Sequence, residues 1–208
     1  MASKASILHD DSLLSRLDRL YLKLESFLTT LGGIVILLVV LLAVVNILGR
    51  WLFSKPVDGY IDWVVTAMPF IAFMGLSFTQ REGGHIRMDI LVGKFKGRVL
   101  WFFELLSILI MLFMTAILIK GSYNHFLRAY EIGDSTFDIN LPVWPSKLIV
   151  VVAFVILFLR LLLQLWGYIR ALRVGSDRPV AVPLVEDAAT VAAKEAASVS
   201  SDKIDSKA

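Results

Sequence analysis

The sequence predicts an all-α integral membrane protein with four transmembrane helices. Of its 208 residues, 57% are hydrophobic and only 19% are charged, and the mean hydropathy is +0.74. A soluble domain carries roughly a quarter charged residues, so this chain has too few polar side chains for a surface covered by water. Its apolar residues fall into four stretches, each close to the about 20 residues that a helix needs to cross a bilayer.

The four predicted spans cover about residues 27–48, 60–78, 100–119 and 147–166, within a membrane domain of residues 27–172. They must be helical, because lipid offers no partner to an unpaired backbone group and four such segments are too few for a β-barrel. The first span follows 26 more polar residues and is too long for the apolar region of a signal peptide. We therefore predict that it is a retained anchor.

The distribution of lysine and arginine predicts the orientation. The arm before span one, the loop between spans two and three and the segment after span four are rich in basic residues, whereas the other two loops carry few. By the positive-inside rule both termini are then cytoplasmic, an N-in/C-in topology. The 5 tryptophans support the boundaries, because all of them fall at predicted span ends, where indole rings prefer the headgroup level.

Two flanking segments complete the predicted organisation. Within the cytoplasmic arm of residues 1–26, a helix that begins near residue 12 carries leucines on one face and Arg16, Arg19 and Lys23 on another. This amphipathic helix either lies in the membrane interface with its cations towards anionic headgroups or packs on a partner. Residues 173–208 are rich in Ala, Ser, Asp and Lys and predict a mobile cytoplasmic tail.

A few ionisable residues fall inside the predicted spans, where charge is costly enough to mark a candidate site. Asp62 lies within a turn of the outer end of span two, where it is either solvated or faces Arg50. Glu104 and Arg160 lie at similar depths, about 6 and 9 Å from the cytoplasmic edge by helical rise. We predict that they form an ion pair that sets helix register, the alternative being an arginine that reaches the interface alone. Asn46 is predicted to bond between helices.

The sequence predicts no catalytic, cofactor or metal site, and hence no enzyme. With 0 cysteines the chain has no thiol nucleophile or thiolate ligand. None of its 3 histidines lies inside an apolar span, so a buried haem has no pair of axial ligands. His85 and Asp89 could share a helical face, but two ligands alone indicate a structural turn rather than a metal site. The basic surplus reports membrane orientation rather than binding to nucleic acid.

Short motifs in a fixed order carry a more specific resemblance. The segment Asn46-x-x-x-Arg50-x-x-Phe53-x-x-Pro56 ends span one, Trp63 opens span two, and the next loop reads Arg81-x-x-x-His85-Ile86-Arg87-Met88-Asp89. In this order they resemble the small, DctQ-like membrane subunit (Q subunit) of tripartite ATP-independent periplasmic (TRAP) transporters. The residues that match the family pattern are Asn46, Arg50, Trp63, Arg81, His85 and Asp89. The chain departs from it at Asp62, because relatives carry carboxylates after this tryptophan, and at Lys147, where an aromatic residue is common.

The resemblance implies a small permease subunit in a bacterial inner membrane, part of a symport system for carboxylate uptake. In such systems a periplasmic solute-binding protein delivers an organic acid, and a large multi-span membrane subunit holds the substrate and sodium sites. The small subunit would brace the large one and contact membrane lipid, with the matching residues and Asp62 as candidates for the partner interface.

Two other functions remain open on the sequence alone. The amphipathic arm and the tail fit a free-standing four-span membrane interaction protein. Four spans with His125 near an outer boundary fit a respiratory-type membrane anchor.

Overall fold

The computed structural model describes residues 13–81 and 98–174, and within them every regular element is a helix. The helices are α1 (Leu13–Phe53), α2 (Tyr60–Phe73), α3 (Leu76–Arg81), α4 (Arg98–Ile132) and α5 (Trp144–Val174). Four segments are long and apolar enough to cross a membrane: Ser15–Phe53, Tyr60–Arg81, Phe102–Ile132 and Trp144–Arg170. The all-helical, four-span prediction is therefore confirmed for these residues, while the orientation of the termini stays a prediction.

The first helix differs from its predicted form. Residues 13–27 continue without a break into the first span, giving one helix of 41 residues, about 60 Å long at 1.5 Å per residue. Within this helix the buried side chains of Asp18 and Glu25 hold the first turns against α3 and α5, and a position of these turns in the membrane interface stays a prediction. The first 12 residues of the predicted arm and nearly all of the predicted tail (175–208) lie outside the described residues.

The second span is made of two helices in line. Pro69 lies inside α2 and can donate no backbone hydrogen bond, and α2 ends four residues later at Phe73. After a two-residue turn, α3 continues from Leu76 to Arg81, and its Thr79 backbone N–H donates to Gly75 O at 2.9 Å. The last turn and a half of this span carries the buried polar residues Ser77, Gln80 and Arg81.

The helices lie in a row with α5 near its centre. On one side α5 packs against α4, through a core of Ile108, Phe154, Leu157, Leu161 and Tyr168. On the other side it packs against α2 and α3, and α1 packs against these two helices along its length and against α5 near its start. Only 11% of the most apolar window of α1 is buried, against 33% for α5. The row therefore leaves wide apolar faces uncovered.

Both short connections lie at one end of the row, which we call the loop end; the start of α1 and the end of α5 lie at the other, the terminal end. The connection from α1 to α2 reverses closely, with Lys55 N donating to Gly49 O at 3.1 Å. Gly133 (φ +73°) ends α4, and Asp134 N donates back to Ala129 O at 3.0 Å in a Schellman-type cap. Ser146 Oγ donates to Thr66 O at 3.0 Å and ties α5 to α2.

Gly59 joins the two connections and is required there for two reasons. Its φ of +66° lies in the left-handed region, which a side chain disfavours. A Cβ at this position would also lie 2.6–2.7 Å from three side-chain carbons of Ile139, in the connection between α4 and α5. The glycine therefore lets the two loops touch.

We expect Gly59→Ala to lower the free energy of unfolding by about 1–3 kcal/mol, because it adds left-handed strain and an overlap with Ile139. Denaturation of the chain in detergent measures this loss. Gly121→Ala is the matched control, since a Cβ at this helical position in α4 meets nothing within 4 Å. Adding Ile139→Ala to Gly59→Ala should recover part of the loss. Equal effects of the Gly59 and Gly121 variants would contradict the proposed contact.

Candidate functional site

A group of buried polar side chains joins α1, α3 and α5 in the terminal half of the row. We call it the polar cluster: Asp18, Glu25, Ser77, Gln80, Arg81, Arg160 and Gln164. Each of these residues is at most 5% exposed, although the surrounding helix surfaces are apolar. Burial of this many polar groups in a membrane span is costly, so their bonding partners determine whether the arrangement is stable.

Asp18 lies at the centre of the polar cluster. Its Oδ1 accepts a hydrogen bond from Arg160 Nη1 at 2.6 Å, and its Oδ2 accepts one from Arg81 Nη2 at 3.2 Å. One carboxylate of α1 is thus bonded to guanidinium groups of α5 and α3. Charge-assisted bonds of this kind are short and directional, so they fix the rotation of α1 about its own axis.

Glu25, two turns after Asp18 on the same face of α1, supplies the second negative charge. Its Oε1 accepts from Ser77 Oγ at 2.5 Å and lies 3.7 Å from Arg160 Nε. Two carboxyl groups therefore face two guanidinium groups, so the formal charges of the polar cluster balance. In the described residues Glu25 Oε2 and Arg160 Nη2 have no hydrogen-bond partner, so charge rather than full hydrogen bonding holds this side.

Neutral hydrogen bonds extend the polar cluster between the same helices. Gln80 Nε2 donates to Gln164 Oε1 at 2.9 Å, and Gln164 Nε2 donates to the backbone Gln80 O at 3.4 Å. Tyr21 OH donates to Ile156 O at 2.6 Å and so links α1 to α5 once more. The three helices are thus bonded by ionic and amide contacts where apolar burial is small.

The predicted ion pair between Glu104 and Arg160 is wrong. Arg160 bonds to Asp18, whereas Glu104 Oε2 accepts a hydrogen bond from Tyr168 OH at 2.9 Å between α4 and α5. The depth of each residue in the membrane follows from counting along its helix. The direction in which the side chain points around the helix axis does not. Helix α5 turns Arg160 towards α1 and α3, and α4 lies on another of its faces.

Sequence reasoning missed the two carboxylates that do neutralise Arg160. Asp18 and Glu25 are seven residues apart, a spacing that places them on one face of a helix. An arginine predicted inside a span, with two acidic residues on one face of the neighbouring helix, is the signal that could have found them. This signal was not used, because residues 12–28 were interpreted as a surface helix whose acidic side chains would face water.

At the loop end, two predicted site residues bond to backbone. Asn46 is 6% exposed, and its Oδ1 accepts from Val57 N at 2.9 Å, so it holds the connection that follows α1 rather than another helix. Asp62 does not face Arg50: its Oδ2 accepts from Asp138 N and Ile139 N at 3.0 and 2.9 Å. This carboxylate at the start of α2 therefore fixes the connection between α4 and α5.

The remaining predicted site residues fall into three groups. Arg50 is exposed and lines an open cleft at the loop end together with Trp51 and Asn46, and Trp63 is 48% exposed. Arg81 is buried in the polar cluster. His85 and Asp89 lie outside the described residues. Residues 13–81 and 98–174 contain no group of three or more side chains suited to holding a metal ion.

A large part of the chain matches the profile of a known protein family. Residues 39–171 match the profile of the family described as "Tripartite ATP-independent periplasmic transporters, DctQ component". No match was found among curated proteins. The matched range contains both guanidinium groups of the polar cluster but begins after its two carboxylates.

We expect Arg160→Leu to lower the free energy of unfolding by about 3–5 kcal/mol, because it leaves the buried Asp18 carboxylate with one guanidinium fewer. Adding Asp18→Leu should recover part of this loss, since Arg81 and Glu25 then remain as a balanced pair. The matched control adds Glu104→Leu instead and should recover nothing. Recovery by the Glu104 change and not by the Asp18 change would contradict the observed pairing.

Proposed function

Because the chain belongs to the DctQ component family of TRAP transporters, we propose that it braces the large membrane subunit during sodium-coupled, receptor-dependent uptake of an organic acid. Members of this family are small permease subunits, not enzymes, and work in a tripartite complex with a large membrane subunit and a periplasmic binding protein. With four apolar helices, family membership indicates a multi-pass protein of the inner membrane.

The observation that carries the bracing role is the uncovered apolar surface of the row. Large side chains on both outer helices point away from the protein, such as Leu41 on α1 at 50% exposed and Phe113 on α4 at 62%. Lipid can solvate such faces, but flat helical surfaces are also what a neighbouring membrane subunit packs against. Wide apolar faces on both outer helices support the role of a part attached to a larger protein better than that of a self-contained channel.

The bonding of the buried charges supports the same role. A carrier needs polar groups that line a path and exchange partners with a passing ion. In the polar cluster, Asp18 bonds to Arg81 and Arg160 and the formal charges balance, so these residues resemble a fixed joint. We propose that the sodium and substrate sites lie in the large subunit.

Several motif residues can be assigned to this role. Asn46 and Asp62 shape the loop end from inside, whereas Arg50 and Trp63 are exposed there and available to a partner. We propose Arg50 and Trp63 as partner contacts. For His85 and Asp89 the same role rests on the family resemblance alone.

A tagged chain purified in mild detergent from its native membrane should retain a large multi-span protein at 1:1 stoichiometry, identified by mass spectrometry. Because the chain has 0 cysteines, Leu41→Cys and Phe113→Cys each give a single cross-linking position. At least one of them should cross-link to the large protein. Leu161→Cys is the control and should not, since Leu161 is 0% exposed. A chain that purifies alone and monodisperse would favour a free-standing protein, and a Soret band would favour a respiratory anchor.

A second prediction separates a brace from a carrier. The double variant Asp18→Leu with Arg160→Leu should leave the sodium concentration for half-maximal uptake unchanged, because these groups hold helices and do not bind the ion. This sodium concentration is measured from substrate uptake by the reconstituted complex, normalised to the amount of complex that has assembled. A shift in sodium dependence with normal assembly would place the polar cluster on the ion path and contradict the bracing role.

A further inference from the structure

Polar side chains form a stripe along the last turns of α4, on the surface that faces away from α5. We call it the polar stripe: Lys120, Asn124 and Arg128. Each follows the previous one by four residues, so on a helix the three lie on one face. All three are exposed, whereas Ile119 and Phe126 of the same turns pack against the core and against Trp144. The described side chains include no ion-pair partner for either cation of the polar stripe.

Contacts between α4 and α5 fix the depth of the polar stripe. Phe126 and Tyr130 both contact the ring of Trp144, with centroids 6.5 and 5.8 Å apart. Arg128, between them in the sequence, is therefore level with this tryptophan. Because tryptophan and tyrosine rings prefer the headgroup level, Arg128 can reach water or lipid headgroups. Lys120, eight residues earlier, lies about 12 Å deeper in the membrane by helical rise.

The second span indicates that hydrocarbon surrounds the chain at this depth. Ser146 Oγ donates to Thr66 O, so α2 and α5 run side by side from this level. Met68, two residues further along α2, lies about 6 Å deeper than Trp144 by helical rise, and so does Asn124 on α4. Met68 is apolar and 58% exposed, which suits hydrocarbon and not water. The same layer of the membrane therefore meets the polar stripe on α4.

A lysine at this depth needs a counter-charge that α4 does not supply. Charged residues in membrane spans nearly always face other protein or a water-filled cavity, and they pair with one another. The acidic residue of α4 closest to Lys120 in the sequence is Glu131, which is about 16 Å further along the helix. Lipid phosphates lie at the level of Arg128, and the distance of about 12 Å from Lys120 exceeds the length of a lysine side chain.

The other outer helix of the row has no such stripe. Between Ile34 and Leu48, every exposed side chain of α1 is apolar. Lipid satisfies such a face completely, because it contains no group that needs a polar partner. The outer face of α4 combines exposed apolar side chains, such as Phe113 and Ile117, with the polar stripe. Of the two faces, that of α4 is the one that lipid alone does not satisfy.

We propose that α4 is the helix that docks on the large membrane subunit, and that a carboxylate on a membrane-spanning segment of that subunit pairs with Lys120. The same segment packs on Phe113 and Ile117 and bonds to the Asn124 amide, while Arg128 stays at the headgroup level. Opposite charge is the chemistry that Lys120 requires, and a carboxylate within a partner helix supplies it at the right depth. This inference rests on the proposed function for the identity of the partner, and it assigns the contact to one of the two outer helices.

Carbodiimide coupling tests the ion pair directly, because the reagent joins a lysine amine to a carboxylate only where the two are in contact. The purified complex is treated with membrane-permeant dicyclohexylcarbodiimide, and linked peptides are identified by mass spectrometry. We expect an amide bond between Lys120 and an aspartate or glutamate of the large subunit. Lys120→Arg keeps the charge and is the control, so the complex should assemble without this link. An intact complex with no link at Lys120, or a link to a second copy of this chain, overturns the proposal.

Charge reversal tests whether the pair holds the complex together. Lys120→Glu should weaken binding of the large subunit by about 30-fold, because two carboxylates then face each other in the membrane. Titration of the labelled chain with the purified large subunit in detergent measures the affinity. Lys55→Glu reverses an exposed cation in the connection after α1, and as the matched control it should leave the affinity unchanged. Both variants should keep the melting temperature of the isolated chain, and equal affinities of the two would contradict the ion pair.

The outcomes separate this inference from the proposed function. If the large subunit co-purifies but cross-links only to Leu41→Cys on α1, the docking helix is wrong and the proposed function stands. A photo-crosslinker on Asn124→Cys that captures only phospholipid, while the complex is intact, has the same meaning. If no large subunit co-purifies, the proposed function fails, and the inference fails with it.

Discussion

Charge that is buried in a membrane must be neutralised where it stands, and this constraint holds the terminal half of the row together. Water-driven burial gives little attraction between helices in lipid, so packing and polar contacts decide which helices associate. Asp18 meets that demand by bonding to Arg81 on α3 and Arg160 on α5 at once. Removing any one of the three leaves the buried charges of the polar cluster unbalanced. The position of α1, which buries little apolar surface, therefore depends on a few directional bonds.

At the loop end, buried side-chain oxygens again hold the structure, but their partners are backbone N–H groups rather than guanidinium groups. The Asp62 carboxylate accepts two backbone N–H bonds from the connection before α5, and the Asn46 amide accepts one from the connection after α1. These bonds hold loops to helix ends, whereas the polar cluster holds helices to one another. The helices are thus held to their neighbours at both ends of the row. Its broad faces stay free to meet a larger neighbour or lipid.

Hydropathy was enough to predict the four spans, because the length and composition of each segment are set by the membrane and not by its neighbours. The depth of Arg160 and Glu104 also followed from helical rise. Their partners did not, since the rotation of each helix is decided by tertiary packing that a single sequence does not reveal. Asp18 and Glu25 were missed because the leucines around them are compatible with a surface helix as well as with a buried one. Asp62 was predicted near the outer end of its span. The two backbone N–H groups that donate to its carboxylate were not predicted, because they lie 76 and 77 residues further along the chain.

The sequence separation within the polar cluster has a consequence for how the chain is made. Asp18 is 63 residues from Arg81 and 142 residues from Arg160, so its two partners emerge from the ribosome well after it. The first helix therefore enters the membrane with acidic groups whose counterions have not been synthesised. The first helix can form its bond to Arg160 only after α5 has been inserted, so insertion of α5 is the step that completes the polar cluster. A chain truncated before Arg160 would hold two acidic groups in its first helix against the single guanidinium group of Arg81, an imbalance by which membrane quality control could distinguish it from a finished subunit.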